Sequence, residues 1–124
     1  MKRFHRDVYF PSTSYDDLLL FCKRVNAKEI TRSAHADDKI SDYPFQLQVD
    51  VEFALSSWLD PEMVFEYYVT DDGNIEKACF RFELSVTHDL IAIITNDGML
   101  VTCYVNSKRD FHATLSKNLY STED

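Results

Sequence analysis

The residues best suited to chemistry lie in and just after the last β-rich run of the chain. In Met99-Leu100-Val101-Thr102-Cys103-Tyr104-Val105-Asn106, a period of two puts Val101, Cys103 and Val105 on one face and Thr102, Tyr104 and Asn106 on the other. Hydroxyl and amide groups held in a row by a rigid sheet can orient a polar ligand. The next residues, Ser107-Lys108-Arg109-Asp110-Phe111-His112, add two bases and a histidine to an otherwise acidic chain. Cations to balance charge, and an imidazole that titrates at about pH 6.5, are what phosphate chemistry requires. A plainer reading stands beside this one: Thr and Tyr favour strands whatever their function, and their hydroxyls can simply be solvated.

Other chemistries find less support. His35-x-Asp37, His88-Asp89 and Asp110-x-His112 each pair an imidazole with a carboxylate. None has the His-x-x-x-His or Glu-x-x-His spacing that puts two ligands on one helical face, so no metal and no other cofactor is expected. A Ser or Cys nucleophile would lack its Gly-rich elbow. With two glycines in the chain, a phosphate-cradling loop is excluded as well.

The elements that must position these residues can be read from patterning. Ser12-Thr13-Ser14 supplies hydroxyl caps, Asp16 and Asp17 open the following segment, and Lys23 and Arg24 close it. That arrangement predicts a helix, with Leu18, Phe21, Cys22 and Val25 on its buried face. Glu29–Arg32 reads as a short strand, and Ser33 caps a brief helix through His35, Lys39 and Ile40. From Phe45 onward, Phe45, Leu47, Val49, Val51 and Phe53 alternate with polar residues, which predicts a strand followed by a helical turn. Leu47, Val51, Leu55 and Trp58 also fit helical spacing. Both glycines fall in Asp-Gly pairs, at Asp72-Gly73 and Asp97-Gly98, between β-rich runs at 63–69, 75–84, 89–95 and 99–105. These runs form an antiparallel meander, with Leu90-Ile91-Ala92-Ile93-Ile94 in its middle because it is apolar on both faces. The expected fold is a single α+β domain over residues 1–124, with N-terminal helices packed on an antiparallel β-meander of about four to five strands.

Composition sets the outer limits. The 124 residues are 45% hydrophobic and 14% aromatic, enough to bury a core and offset chain entropy. A net charge of −8 argues against a protein that coats nucleic acid or anionic membrane. No apolar run approaches the roughly 20 residues needed to span a bilayer. Cys22, Cys79 and Cys103 are odd in number and widely spaced, as expected of reduced thiols in a cytoplasmic protein. The basic opening Met1-Lys2-Arg3-Phe4-His5-Arg6 is not followed by the apolar core of a signal peptide, and a frayed, solvated terminus is expected there.

In order and local motif the chain resembles the barnase–colicin–RelE group of small metal-independent ribonucleases, as found in phage and mobile-element proteins. Ser33-Ala34-His35-Ala36 with Lys39 stands where such proteins carry a histidine and a base, and Ile91–Ile94 through Val101-Thr102-Cys103-Tyr104 is similar to their terminal hairpin. The resemblance spans about residues 29–120, and it departs from the group at the usual long second helix and in the strong negative charge. It implies an endoribonuclease acting on RNA without a metal. His35 or His112 would take the proton of the 2′-hydroxyl as its oxygen attacks phosphorus. Lys39, Lys108 or Arg109 would bind the phosphate, and Thr102 and Tyr104 would position it.

The alternative is a non-enzymatic acidic binding protein, such as an antitoxin, an immunity protein or an inhibitor of a host defence. Asp16-Asp17, Asp37-Asp38, Asp42, Asp50, Glu52, Asp60, Glu62, Glu66, Asp71-Asp72 and Glu76 would then build an acidic face that engages a basic partner or mimics nucleic acid. Phe65, Tyr67, Tyr68, Phe80 and Phe82 could line a homo-oligomer interface, although core packing is the expected role for most of them. Histidines gathered with Thr102 and Tyr104 in one concavity favour the enzyme; scattered histidines beside an acidic face favour the binder.

Overall fold

The acids that open the first helix and the bases that close it offset the helix dipole as the sequence predicts. In the computed structural model, which describes residues 2–5 and 14–108, this helix is α1, Ser14–Asn26. Leu18, Phe21, Cys22 and Val25 are buried along one stripe. Chain order then runs through β2 (Thr31–Arg32), α2 (Ala34–Ser41), α3 (Phe45–Leu55), a 3₁₀ turn (Pro61–Met63), β3 (Val64–Val69), β4 (Ile75–Glu83), β5 (His88–Thr95) and β6 (Met99–Ser107). Strand β1, Lys2–His5, precedes them all. The result is an α+β fold.

Strands β3 to β6 form the expected antiparallel meander. The sheet gains one strand at each edge, giving the order β1-β3-β4-β5-β6-β2. The expectation of a frayed terminus is corrected over Lys2–His5, which pair antiparallel with β3, from Lys2 opposite Val69 to His5 opposite Glu66. At the other edge, β2 runs parallel to β6 for two residues.

Two identical turn devices close the hairpins. In Thr70-Asp71-Asp72-Gly73 and Thr95-Asn96-Asp97-Gly98 the glycine N–H donates to the threonine carbonyl, at 3.0 Å in both turns. The threonine hydroxyl donates to the aspartate carboxylate, Thr70 to Asp72 and Thr95 to Asp97. That bond holds the Asp72 carboxyl below its usual range. Gly73 and Gly98 sit at φ +88° and +87°, the left-handed region that ends such loops.

The core lies between the three helices and one face of the sheet. Leu18 and Val25 of α1, Ile40 of α2 and Val51 of α3 meet Phe80, Leu90, Ile94 and Leu100 of the sheet there. Phe21 stacks on Phe80 with ring centres 6.2 Å apart. Tyr67, Phe80 and Phe82 are core residues, as expected.

Residues 45–55 correct the strand reading: they form helix α3. An α-helix advances 100° per residue, so residues two apart point to nearly opposite sides. The period-two pattern therefore becomes two apolar rows. Leu47, Val51, Ala54 and Leu55 pack on the core, while Phe45, Val49 and Phe53 face solvent. The outer strands of the meander already have β1 and β2 beside them, so this segment is not needed as an edge strand. Its Gln, Leu, Glu and Ala content suits a helix.

The last strand needs a second correction. Ile93 pairs with Thr102 but Ile94 pairs with Leu100, so Val101 is an extra residue in β6. This bulge places Leu100, not Val101, in the core with Cys103 and Val105. Thr102, Tyr104 and Asn106 keep the opposite face, as the parity downstream of the bulge requires.

Gly73→Val and Gly98→Val should each destabilise the fold by about 1–2 kcal/mol, because a β-branched residue resists positive φ. The losses should be similar, because both sites share nearly the same positive φ and an added Cβ finds open space at Gly73 and an ordinary contact with the Lys28 side chain at Gly98. Denaturant midpoints of the two variants check this. The bulge predicts a contrast, readable in the same melts. Leu100→Ala should cost about 3 kcal/mol through a buried cavity, and Val101→Ala about 1 kcal/mol or less.

Candidate functional site

The face of the sheet turned away from the core carries the polar row that the sequence singles out. Thr102, Tyr104 and Asn106 of β6 stand opposite Ile93, Ile91 and Asp89 of β5. Residues sharing this face on β3 and β4 include Glu66, Tyr68, Lys77, Cys79 and Arg81, by the pairs Glu66–Cys79 and Tyr68–Lys77 and by Arg81 opposite Ile91. Glu66, Asp89 and Asn106, at 3%, 6% and 1% exposure, are buried polar residues, and all three lie here.

Such burial requires partners, because a desolvated carboxylate is costly alone. Arg81 Nη1 lies 2.8 Å from Asp89 Oδ2. Lys108 Nζ lies 2.5 Å from Glu83 Oε2 and 3.6 Å from Asp89 Oδ1. The Glu83 hydrogen bond raises the Lys108 ammonium above its ordinary value. Glu66 Oε1 accepts from the Tyr68 hydroxyl at 2.6 Å and from the Cys79 thiol at 3.7 Å. Among the described residues, three cations also lie over rings: Lys39 over Tyr104 at 5.5 Å, Lys77 over Tyr68 at 4.8 Å and Arg81 over Phe65 at 5.5 Å. Ile91, fully buried, packs between Phe65 and Tyr104.

The predicted site residues divide over this geometry. Thr102 and Tyr104 share the polar face, and both are partly buried. Lys39 reaches it from α2, which runs along β6, and stands above the Tyr104 ring. Lys108 is there too, joined to Glu83 and Asp89. His35 is exposed on α2, one turn before Lys39, and has no hydrogen bond or ion pair to Thr102 or Tyr104. His88 bonds Thr87 through Nδ1 at 2.8 Å, and its neighbour Asp89 points to the other side of the sheet. Arg109 and His112 lie outside the described residues. Thr102, Tyr104 and Lys108 thus share one face of the sheet with Lys39 above Tyr104, whereas His35 stands exposed on α2 and His88 does not join them.

The thiols are buried. Burial, with Asp60 adding to it, pushes Cys22 up to about 12. Burial also raises Cys103. Burial and the adjacent Cys103 sulfur take the Tyr43 hydroxyl up to about 12. None of these groups is tuned to act as a nucleophile or base near neutral pH.

One surface escaped the sequence reading. Phe45, Val49 and Phe53 of α3 are 79%, 44% and 79% exposed, and Trp58 beyond the helix is 72% exposed. Spacings of four residues place the first three in one row along the helix. Around them, Gln46 donates to Asp50 at 3.1 Å, and Arg32 pairs with Glu52 and Asp37. The available signal was a helix apolar on two sides, visible only once the segment is taken as a helix. No family profile, no curated protein and no solved structure matches this chain.

Because Asp89 is buried between two cations, Asp89→Ala should destabilise the protein by about 3 kcal/mol by removing the buried carboxylate that contacts both Arg81 and Lys108. The double variant Asp89→Leu with Arg81→Met should recover much of that loss. Chemical denaturation of the three proteins checks the coupling.

Proposed function

We propose that this protein is a non-enzymatic binding module that engages a basic protein partner. The observation that carries the reading is a segregation of charge and exposed apolar surface. Residues 40–76 contain no Lys, Arg or His, yet they hold Asp42, Asp50, Glu52, Asp60 and Glu62. The same stretch exposes Phe45, Val49 and Phe53. Large exposed apolar side chains in one row mark interaction surfaces, and a rim of one sign selects partners of the other. On the polar sheet face, by contrast, Arg81 and Lys108 are already balanced by Asp89 and Glu83. Buried reduced thiols are in keeping with a cytoplasmic setting. Within that class, an antitoxin, an immunity protein or an inhibitor of a host defence has the required acidic surface.

The second reading, a metal-independent endoribonuclease, draws its support from Lys39 held over Tyr104 beside Thr102. One pair of experiments separates the two. Purified protein should leave total RNA intact with and without EDTA; EDTA-resistant cleavage that disappears in His112→Ala would establish the enzyme instead. In affinity capture from the source cells, a basic protein should be retained at low salt and released at high salt. It should be lost with the triple variant Asp42→Asn, Asp50→Asn, Asp60→Asn. Retention by that variant would remove the acidic rim from the reading.

A further inference from the structure

We infer that the occupant of the exposed face of α3 is an amphipathic, basic α-helix of the partner, lying along the row Phe45–Val49–Phe53. This rests on the binding-module reading above and specifies its partner. Three observations lead to it.

The first is shape. Phe45, Val49 and Phe53 form a single ridge spanning two helical turns, about 12 Å long at 1.5 Å per residue. A ridge of residues four apart is complementary to the groove between the side-chain rows of a second helix. The second is size. Two exposed Phe and a Val offer roughly 400 Å² of apolar surface, about half of what each side of a standard globular interface buries. One helix of two or three turns fills such an area; a whole domain face would overhang it.

The third is charge. Helix α3 carries Asp50 and Glu52 and no base. Asp42 lies before it and Asp60 after it. A second copy of this chain docked on the ridge would set these acids against their own counterparts in a molecule of net charge −8. A helix with Leu or Phe on one side and Lys or Arg flanking them meets both the ridge and the carboxylates Asp50 and Glu52 that the same helix carries. Arg32, which pairs with Glu52 of α3, is also held by Asp37 and does not invert the sign of the charge there.

The probe is a fluorescein-labelled cationic amphipathic peptide of Leu and Lys in helical register, titrated with the full chain and read by anisotropy. Two controls accompany it: a scrambled peptide of the same composition, and a Leu/Glu peptide in the same register. The cationic helix should bind, and salt should weaken it. Phe45→Ser and Phe53→Ser should each reduce affinity by about tenfold or more, with thermal melts unchanged because both rings are exposed. Equal binding of the scrambled peptide, or full binding by the two Phe variants, overturns the helix-on-ridge inference while leaving an acidic binder in place. Equal binding of the Leu/Glu peptide overturns both the inference and the acidic reading. Absence of binding by every peptide overturns the inference. So does sedimentation of the wild-type chain as a dimer that Phe53→Ser converts to monomer, which would make a second copy the occupant.

Discussion

Ser33 is the residue on which the arrangement of the last strand turns. Its backbone N–H donates to the Leu100 carbonyl at 3.0 Å, and its hydroxyl donates to the Val101 carbonyl at 2.6 Å. The same hydroxyl oxygen accepts from the Ala36 N–H at 3.0 Å, capping α2. One side chain thus ends a strand, starts a helix and satisfies the backbone of the bulge at Val101, using both capacities of a hydroxyl. With the bulge held there, Leu100 and Cys103 share the core, and Thr102 and Tyr104 share the other face. The short β2 and the helix that Ser33 caps also cover the outer edge of β6, which would otherwise offer unpaired backbone groups to another chain.

The two surfaces of the molecule handle charge in opposite ways. On the polar sheet face, acids and bases from different strands are interleaved, and the buried Asp89 sits between Arg81 and Lys108. A carboxylate so placed gives up hydration and recovers it through charge-assisted contacts, so the cluster fixes the register of β4, β5 and β6. Around α3 the acids stand without bases of their own segment. Exposed Phe45 and Phe53 add surface that folding leaves in water. A sequence selected only for folding would place polar residues there, which is why this face, and not the polar sheet face, carries the functional reading.

Helix α3 is tied down from both ends. Gln48 donates to the Tyr43 carbonyl at 2.8 Å before it. After it, Asn26 of α1 holds Leu59 through two bonds, donating to its carbonyl at 2.9 Å and accepting from its N–H at 2.8 Å. These contacts fix which row of α3 meets the sheet, so the exposed row is presented on a rigid support.

Much of the architecture was legible in the residues alone. The dipole-matched acids and bases of α1, the Ser33 cap, the two Asp-Gly turns and the apolar β5 each depend on neighbours within a few positions, so local patterning decides them. The same holds for Cys103 inward with Thr102 and Tyr104 outward, since parity in a strand is a local property. Three features were not local. Strand β1 exists because β3 offers an edge. The bulge at Val101 exists because Ser33, distant in sequence, bonds its carbonyl. Residues 45–55 form a helix because tertiary packing needs only one of their two apolar rows, and a period of two does not say which partner will be present. The exposed ridge on α3 follows from that choice. Periodicity records that a residue is apolar; only the assembled fold decides whether anything in the chain covers it.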